Sequence, residues 1–106
     1  MNMSEFSALT SATGIIVAKF GAEWCMPCKA LRKTMDSMAS EFQDVRFIEI
    51  DVENSPEVAN EFGITSVPTL IYFCNGEIVD MSIGNVSKGE IAKIIGKIKN
   101  HAGKID

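Results

Sequence analysis

The spacing of apolar positions changes several times along the chain, and each change marks an element. Phe6 and Leu9 stand at helical spacing within Ser4 to Thr13, and Gly14 supplies a stop, so a short first helix is expected. Ile15 to Phe20 is a short, mostly apolar run ending at Gly21, the pattern of a strand covered on both faces. From about Cys25 to Phe42, Cys28, Leu31, Met35, Met38 and Phe42 share one helical face, while Lys29, Arg32, Lys33, Asp36 and Ser40 fall elsewhere. Val45 to Val52 is again strand-like. Ser55-Pro56 reads as an N-cap with proline at the first helical position, and Gly63 ends that short helix. Thr69 to Phe73 and Ile78 to Met81 flank Asn75-Gly76, a strong hairpin signal. Ser87 and Glu90 form a capping box that opens a last helix, striped by Ile91, Ile94, Ile95 and Ile98.

The predicted order is helix, strand, helix, strand, helix, strand, strand, helix. Strands alternating with helices call for parallel crossovers, and the closing hairpin adds an antiparallel strand at one edge. The expected fold class is therefore α/β, a mixed sheet with helices on both faces. A length of 106 residues, without repeat or linker, fits a single domain over 1–106, and 46% hydrophobic content is enough for a core without staples.

Charge narrows the partners. The net charge of −4 comes without any basic stripe, which argues against nucleic acid. No run approaches 18 apolar residues, so no membrane span is expected. The start, Met1-Asn2-Met3-Ser4-Glu5-Phe6, has neither the basic residues nor the apolar run of a secretory signal, and a cytoplasmic location is expected. Three cysteines, an odd count, fit poorly with a secreted disulfide framework.

Two of those cysteines, Cys25 and Cys28, form a C-x-x-C, a spacing that serves redox or metal chemistry. Their placement matters more than the spacing. Trp24-Cys25-Met26-Pro27-Cys28-Lys29 lies where a strand gives way to a long helix, so Cys25 falls at a helix N-terminus. Unpaired backbone N–H groups and the helix dipole favour a thiolate there, and the thiolate is the nucleophile. Cys28 faces the core with Leu31 and is spaced to close a disulfide onto Cys25. Pro27 suits the first turn, where its missing N–H costs nothing. Structural zinc needs four ligands, and beyond this pair only Cys74 and His101 remain, at no recognisable spacing.

The stretch Ala22-Glu23-Trp24-Cys25-Met26-Pro27-Cys28-Lys29 closely resembles the active site of the thioredoxin family. Gly63-Ile64-Thr65-Ser66-Val67-Pro68-Thr69 resembles that family's cis-proline loop, and Phe73, Asn75-Gly76 and Gly84 match later positions. The likeness runs from about Phe6 to Ile98, nearly the whole chain. It implies a thioredoxin fold with a four- or five-stranded sheet. It also implies protein-disulfide reduction, with Cys25 as attacking thiol and Cys28 as resolving thiol. Pro68 would be cis, Val67 would offer its backbone to an extended substrate, and Trp24, Met26, Pro27, Val67, Pro68 and Gly84 would form the contact surface. No organic cofactor and no metal are implied. The partners would be disulfide-containing proteins and a thioredoxin reductase-type donor, with the chain acting as a monomer in electron transport and cell redox homeostasis.

Four departures from the family pattern carry their own expectations. Met26 replaces the usual glycine between the cysteines, so the family potential of about −270 mV does not transfer automatically. Methionine adds an adaptable apolar contact there; the plainer reading is drift at an exposed turn. Lys33 replaces a kinking proline, which predicts a straighter helix. Too few residues precede Ser4 for the family's first strand, so four strands are expected rather than five.

The fourth departure is a charge exchange: Lys19 stands where the family has a buried aspartate, and Glu49 stands where bacterial members commonly carry its lysine partner. On the resemblance, Glu49 would accept the proton of Cys28 while Lys19 keeps Glu49 ionised and favours the Cys28 thiolate. The plainer alternative is that both side chains snorkel to the sheet's edge and only pair.

Cys74 reads as an ordinary half-exposed strand-end residue and His101 as a solvated helix-end residue. A non-catalytic interaction module on the same fold would be expected to lose a cysteine or the proline, and this chain keeps Cys25, Cys28 and Pro68. Met26-Pro27 matches neither the Pro-aromatic nor the Gly-His pair of glutathione-linked and isomerase-type oxidoreductases, which leaves reduction as the expected direction.

Overall fold

The structure, a computed structural model, describes residues 1–104. Its elements in chain order are α1 (Met3–Thr10), β1 (Ile15–Gly21), α2 (Met26–Glu41), β2 (Val45–Asp51), α3 (Pro56–Glu61), β3 (Thr69–Cys74), β4 (Glu77–Ile83) and α4 (Lys88–Lys104). The four strands lie in the order β2-β1-β3-β4, with β1 parallel to β2 and the remaining neighbours antiparallel. Among the described residues the sheet thus has four strands, the smaller of the two numbers expected.

β1 is buried along its whole length because both sheet faces are covered. Its alternation divides the core. Ile15 and Val17 join Leu31, Met35, Met38, Ile91, Ile95 and Ile98 beneath α2 and α4, whereas Ile16, Ala18 and Phe20 join Phe6 and Val58 beneath α1 and α3. On the second face the Phe6 ring meets Phe20, Phe62 and Phe73 at centroid distances of 5.2 to 5.9 Å, within the favourable range for tilted aromatic contacts. Lys19 belongs by alternation to the α2 face, where every neighbour in β1 is apolar.

The sequence expectation of parallel crossovers holds for β1–α2–β2 and fails for β3, which runs antiparallel to β1. The reason is length. Six residues of α3 rise only about 9 Å, against about 23 Å for a strand the length of β2. The connection therefore never returns to the start of the sheet, and β3 sets out from the end where β1 and β2 finish. That reversal brings Pro68 and Thr69 to the edge from which Cys25 emerges.

Other local expectations shift in detail. The first helix ends at Thr10, earlier than Thr13, and begins with a capping box between Asn2 and Glu5. Ser55 occupies the N-cap of α3, but its side chain makes no capping bond. Its hydroxyl instead accepts from the amine of Met1 at 2.9 Å. Ser87 does cap α4, accepting from the Glu90 N–H at 3.1 Å. At the hairpin, Asn75 (φ 51°) and Gly76 (φ 87°) both adopt the left-handed conformation that this two-residue turn requires. α2 runs without interruption through Lys33.

Candidate active site

At the end of β1, Cys25 adopts an extended conformation and becomes the N-cap of α2. Its Sγ accepts the Cys28 backbone N–H at 3.2 Å, so the sulfur does the work that a serine or aspartate oxygen does in an ordinary cap. Pro27 lies in the first turn, where no N–H is needed. Cys25 and Cys28 are joined by a disulfide, with Cα atoms 5.2 Å apart. Once the bond is reduced, the N–H groups and positive end of a sixteen-residue helix face the Cys25 sulfur, a setting that favours the thiolate over the thiol.

Both cysteines are buried, and they pack with Ala22, Val52 and Val67. The Val67–Pro68 peptide is cis. Pro68 is buried, and its carbonyl accepts the Gly84 N–H at 2.8 Å, which ties the loop to the end of β4. Around this apolar floor stand exposed Trp24 (65%), Met26 (70%) and Ile83 (67%). Of the expected contact surface, Trp24, Met26 and Pro27 adjoin the cysteines in the chain, Val67 packs against them, and Gly84 is tied to Pro68. Ile83 was missed; its signal was an apolar residue just before Gly84 on an exposed edge strand.

Lys19 and Glu49 are direct register partners across β1 and β2. Lys19 does not snorkel: it is 1% exposed, and its Nζ lies 2.5 Å from Glu49 Oε2 and donates to the Cys28 carbonyl at 3.1 Å. Glu49 is 42% exposed and also receives Arg32, whose Nε and Nη2 donate to the two carboxylate oxygens at 3.1 and 2.9 Å. Burial pushes the Glu49 carboxyl up, but the Arg32 and Lys19 hydrogen bonds and charges outweigh it and hold the group below its ordinary range. Arg32 was the second omission. It sits on the polar side of α2 four residues after Cys28, and only the β1–β2 register reveals its partner. Lys19, Cys28, Arg32 and Glu49 line a cleft of about 340 Å³ with Asp51 and Asn54.

The remaining candidates lie elsewhere. Cys74 is half-buried and opposite Ile15, at the far end of the sheet from Cys25. His101 is exposed on α4. Among the described residues, no three His, Cys, Asp or Glu side chains gather as a metal site.

A redox cysteine pair capping a helix beneath a cis-proline loop, at one end of a mixed sheet, defines the class of dithiol–disulfide oxidoreductases. Comparison with known proteins narrows this class. The thioredoxin family profile matches residues 1–97. The thioredoxin of Chlamydia muridarum is 40% identical over 86 residues, covering 81% of this chain and 84% of its own length. That of Bacillus subtilis is 36% identical over 93 residues, covering 87% and 88%. Among solved structures, oxidised mitochondrial thioredoxin 3 of Saccharomyces cerevisiae superposes with a TM-score of 0.84 at 31% identity, covering 91% of this chain and 90% of that one. Plasmodium falciparum thioredoxin gives 0.82 at 30% identity, covering 91% and 93%. The chain belongs to the thioredoxin family, and it is an oxidoreductase acting on protein disulfides.

Proposed function

We propose that the chain works as a cytoplasmic, monomeric disulfide reductase in which Cys25 is the nucleophile and Cys28 the resolving thiol. Burial does not distinguish the two sulfurs, since Cys25 is 4% and Cys28 3% exposed. Position in the helix supports the assignment. Cys25 caps α2 at the rim beside Trp24 and Met26, whereas Cys28 lies one turn in, below Lys19's contact to its carbonyl.

In the proposed cycle the Cys25 thiolate attacks one sulfur of a substrate disulfide. A Cys25–substrate bond forms, the substrate S–S bond breaks, and the departing sulfur leaves with the electron pair and takes up a proton. Cys28 loses its proton and attacks Cys25 Sγ. The Cys25–Cys28 disulfide forms, the mixed disulfide breaks, and the second substrate thiol departs. Two electrons have passed to the substrate, and a reductase returns two electrons and two protons to the pair. An extended substrate segment would run along Val67 as an added strand, with Trp24, Met26, Pro27, Pro68 and Gly84 as its apolar and close-approach contacts. No cofactor or metal enters the cycle.

The observation that carries this reading is the Cys28 N–H donated to Cys25 Sγ at the head of α2. A cytoplasmic setting is supported by the odd cysteine count. No helix of the described residues is long and apolar enough to cross a membrane.

Trapping tests the assignment of roles. The C28S variant is expected to accumulate a covalent Cys25–substrate species with a disulfide-bonded protein such as insulin, detected by mass spectrometry. The C25S variant is expected to trap none. The opposite pattern would exchange the two roles.

A further inference from the structure

An ammonium buried in an apolar layer is tolerated only when acceptors hold it. Lys19 has two, the Glu49 carboxylate and the Cys28 carbonyl. Glu49 is in turn gripped bidentately by Arg32, the geometry in which guanidinium and carboxylate bind best. One carboxylate is therefore shared between two cations, and the cluster carries a net positive charge. Its buried end is Lys19. A Cβ built on Gly21 would lie 3.2 Å from Cys28 Sγ and 3.5 Å from Lys19 Cε, so these two atoms lie within twice that longer distance of each other. Both border the space that the missing side chain at Gly21 leaves.

We propose that Lys19 stabilises the Cys28 thiolate as the mixed disulfide is resolved, and that Arg32 is a positioning residue that shares Glu49 with Lys19, so that one carboxylate offsets the Lys19 charge only in part. The proposal rests on Cys28 being the resolving thiol. The Cys28 S–H bond breaks and its proton passes to water in the cleft; the thiolate then attacks Cys25 Sγ, and the electron pair of the broken mixed disulfide leaves with the substrate sulfur. No side chain need receive the proton. Glu49, held below its ordinary range with both oxygens engaged, is a weak base for that task.

The other charged groups facing the cleft are Glu23 before α2, Lys29 on α2 and Asp51 on β2. Asp51 Oδ1 is committed to the N–H groups of Glu53 and Asn54 at 2.8 and 3.3 Å. A cation, Lys19, thus holds the carbonyl of the resolving cysteine itself, where the family resemblance implies a carboxylate beneath the cysteines.

The test isolates the resolving step. Cys25 of the reduced protein is loaded with 5-thio-2-nitrobenzoate, and release of the coloured thiolate by Cys28 is followed against pH. Lys19→Met is expected to slow release about tenfold at neutral pH and to move the midpoint of the profile up by about one pH unit, because a thiolate near a poorly screened cation loses its stabiliser. Glu49→Gln is expected to speed release, since it removes the opposing charge. The double variant K19M/E49Q should be as slow as K19M, which separates loss of the cation from loss of a pair. Arg32→Met, at the surface, should slow release about two- to threefold, with Arg32→Lys restoring most of it, and it keeps the test open if K19M folds poorly. Slow release in E49Q with normal release in K19M would overturn the proposal and make Glu49 the proton acceptor. Unchanged profiles in every variant would also overturn it, leaving the cluster purely structural. If the unaltered protein releases no thionitrobenzoate, the resolving role of Cys28 fails instead.

Discussion

A glycine leaves the space in which Cys28 sits against the end of β1. Gly21 has an ordinary φ, so its value is space rather than conformational freedom: an added methyl would stand 3.2 Å from Cys28 Sγ and 3.3 Å from its Cβ. In the oxidised protein that sulfur is tied to Cys25 and cannot turn away, whereas in the reduced protein it rotates. Gly21→Ala is therefore expected to lower the stability of the oxidised form by about 1–3 kcal/mol, the usual range for overpacking, and the reduced form by less. Denaturant unfolding of both forms measures this, and equal losses would contradict the steric account. Cys25, Cys28 and Pro68 were legible in the sequence because each announces itself within a few neighbours. Gly21 and Arg32 were not. Gly21 matters because α2 packs Cys28 against the end of β1, and Arg32 because it reaches from α2 to Glu49; contacts between distant segments leave no local trace.

Elements were legible wherever their ends carry turn chemistry. The hairpin is the clearest case: Asn75-Gly76 dictated both the reversal and the left-handed backbone. What the sequence did not reveal is that the same asparagine reaches across the fold, its Oδ1 accepting the Gly14 N–H at 2.8 Å and its own N–H donating to the Gly14 carbonyl at 2.9 Å. The turn thereby clamps the entry to β1. Asn75→Ala is expected to cost about 1–2 kcal/mol, combining left-handed strain with a lost hydrogen bond. Asn75→Gly should cost less, because it loses only the bond, and thermal denaturation of the two variants checks that order. The direction of β3 was misread for a related reason. A helix–strand alternation suggests parallel strands, but whether a crossover completes its return depends on helix length, and six residues of α3 fall short.

For the whole molecule, the antiparallel turn of β3 has a functional result. It places the cis-proline loop and the head of α2 at the same end of the sheet, so residues from Trp24 to Gly84 meet at one apolar rim over the disulfide. The opposite end holds Cys74, one β1 length away, about 20 Å. Periodicity alone would have yielded a mixed sheet with a C-x-x-C at its edge, without the loop that faces it. Lys19 and Glu49 pair across β1 and β2 beside Cys28, and Met26 stands exposed at the turn between the cysteines.

The central claim is that Cys25 and Cys28 form a reversible couple poised for reduction of protein disulfides. Equilibration against defined dithiol buffers, followed by the fluorescence of Trp24, the chain's single tryptophan, tests it most directly. The expected result is one two-electron transition with a midpoint near or below about −250 mV, in the range of the reductases. A midpoint at about −200 mV or above would contradict the reductive direction and point to an oxidant or isomerase role, and the absence of any reversible transition would contradict the catalytic account itself.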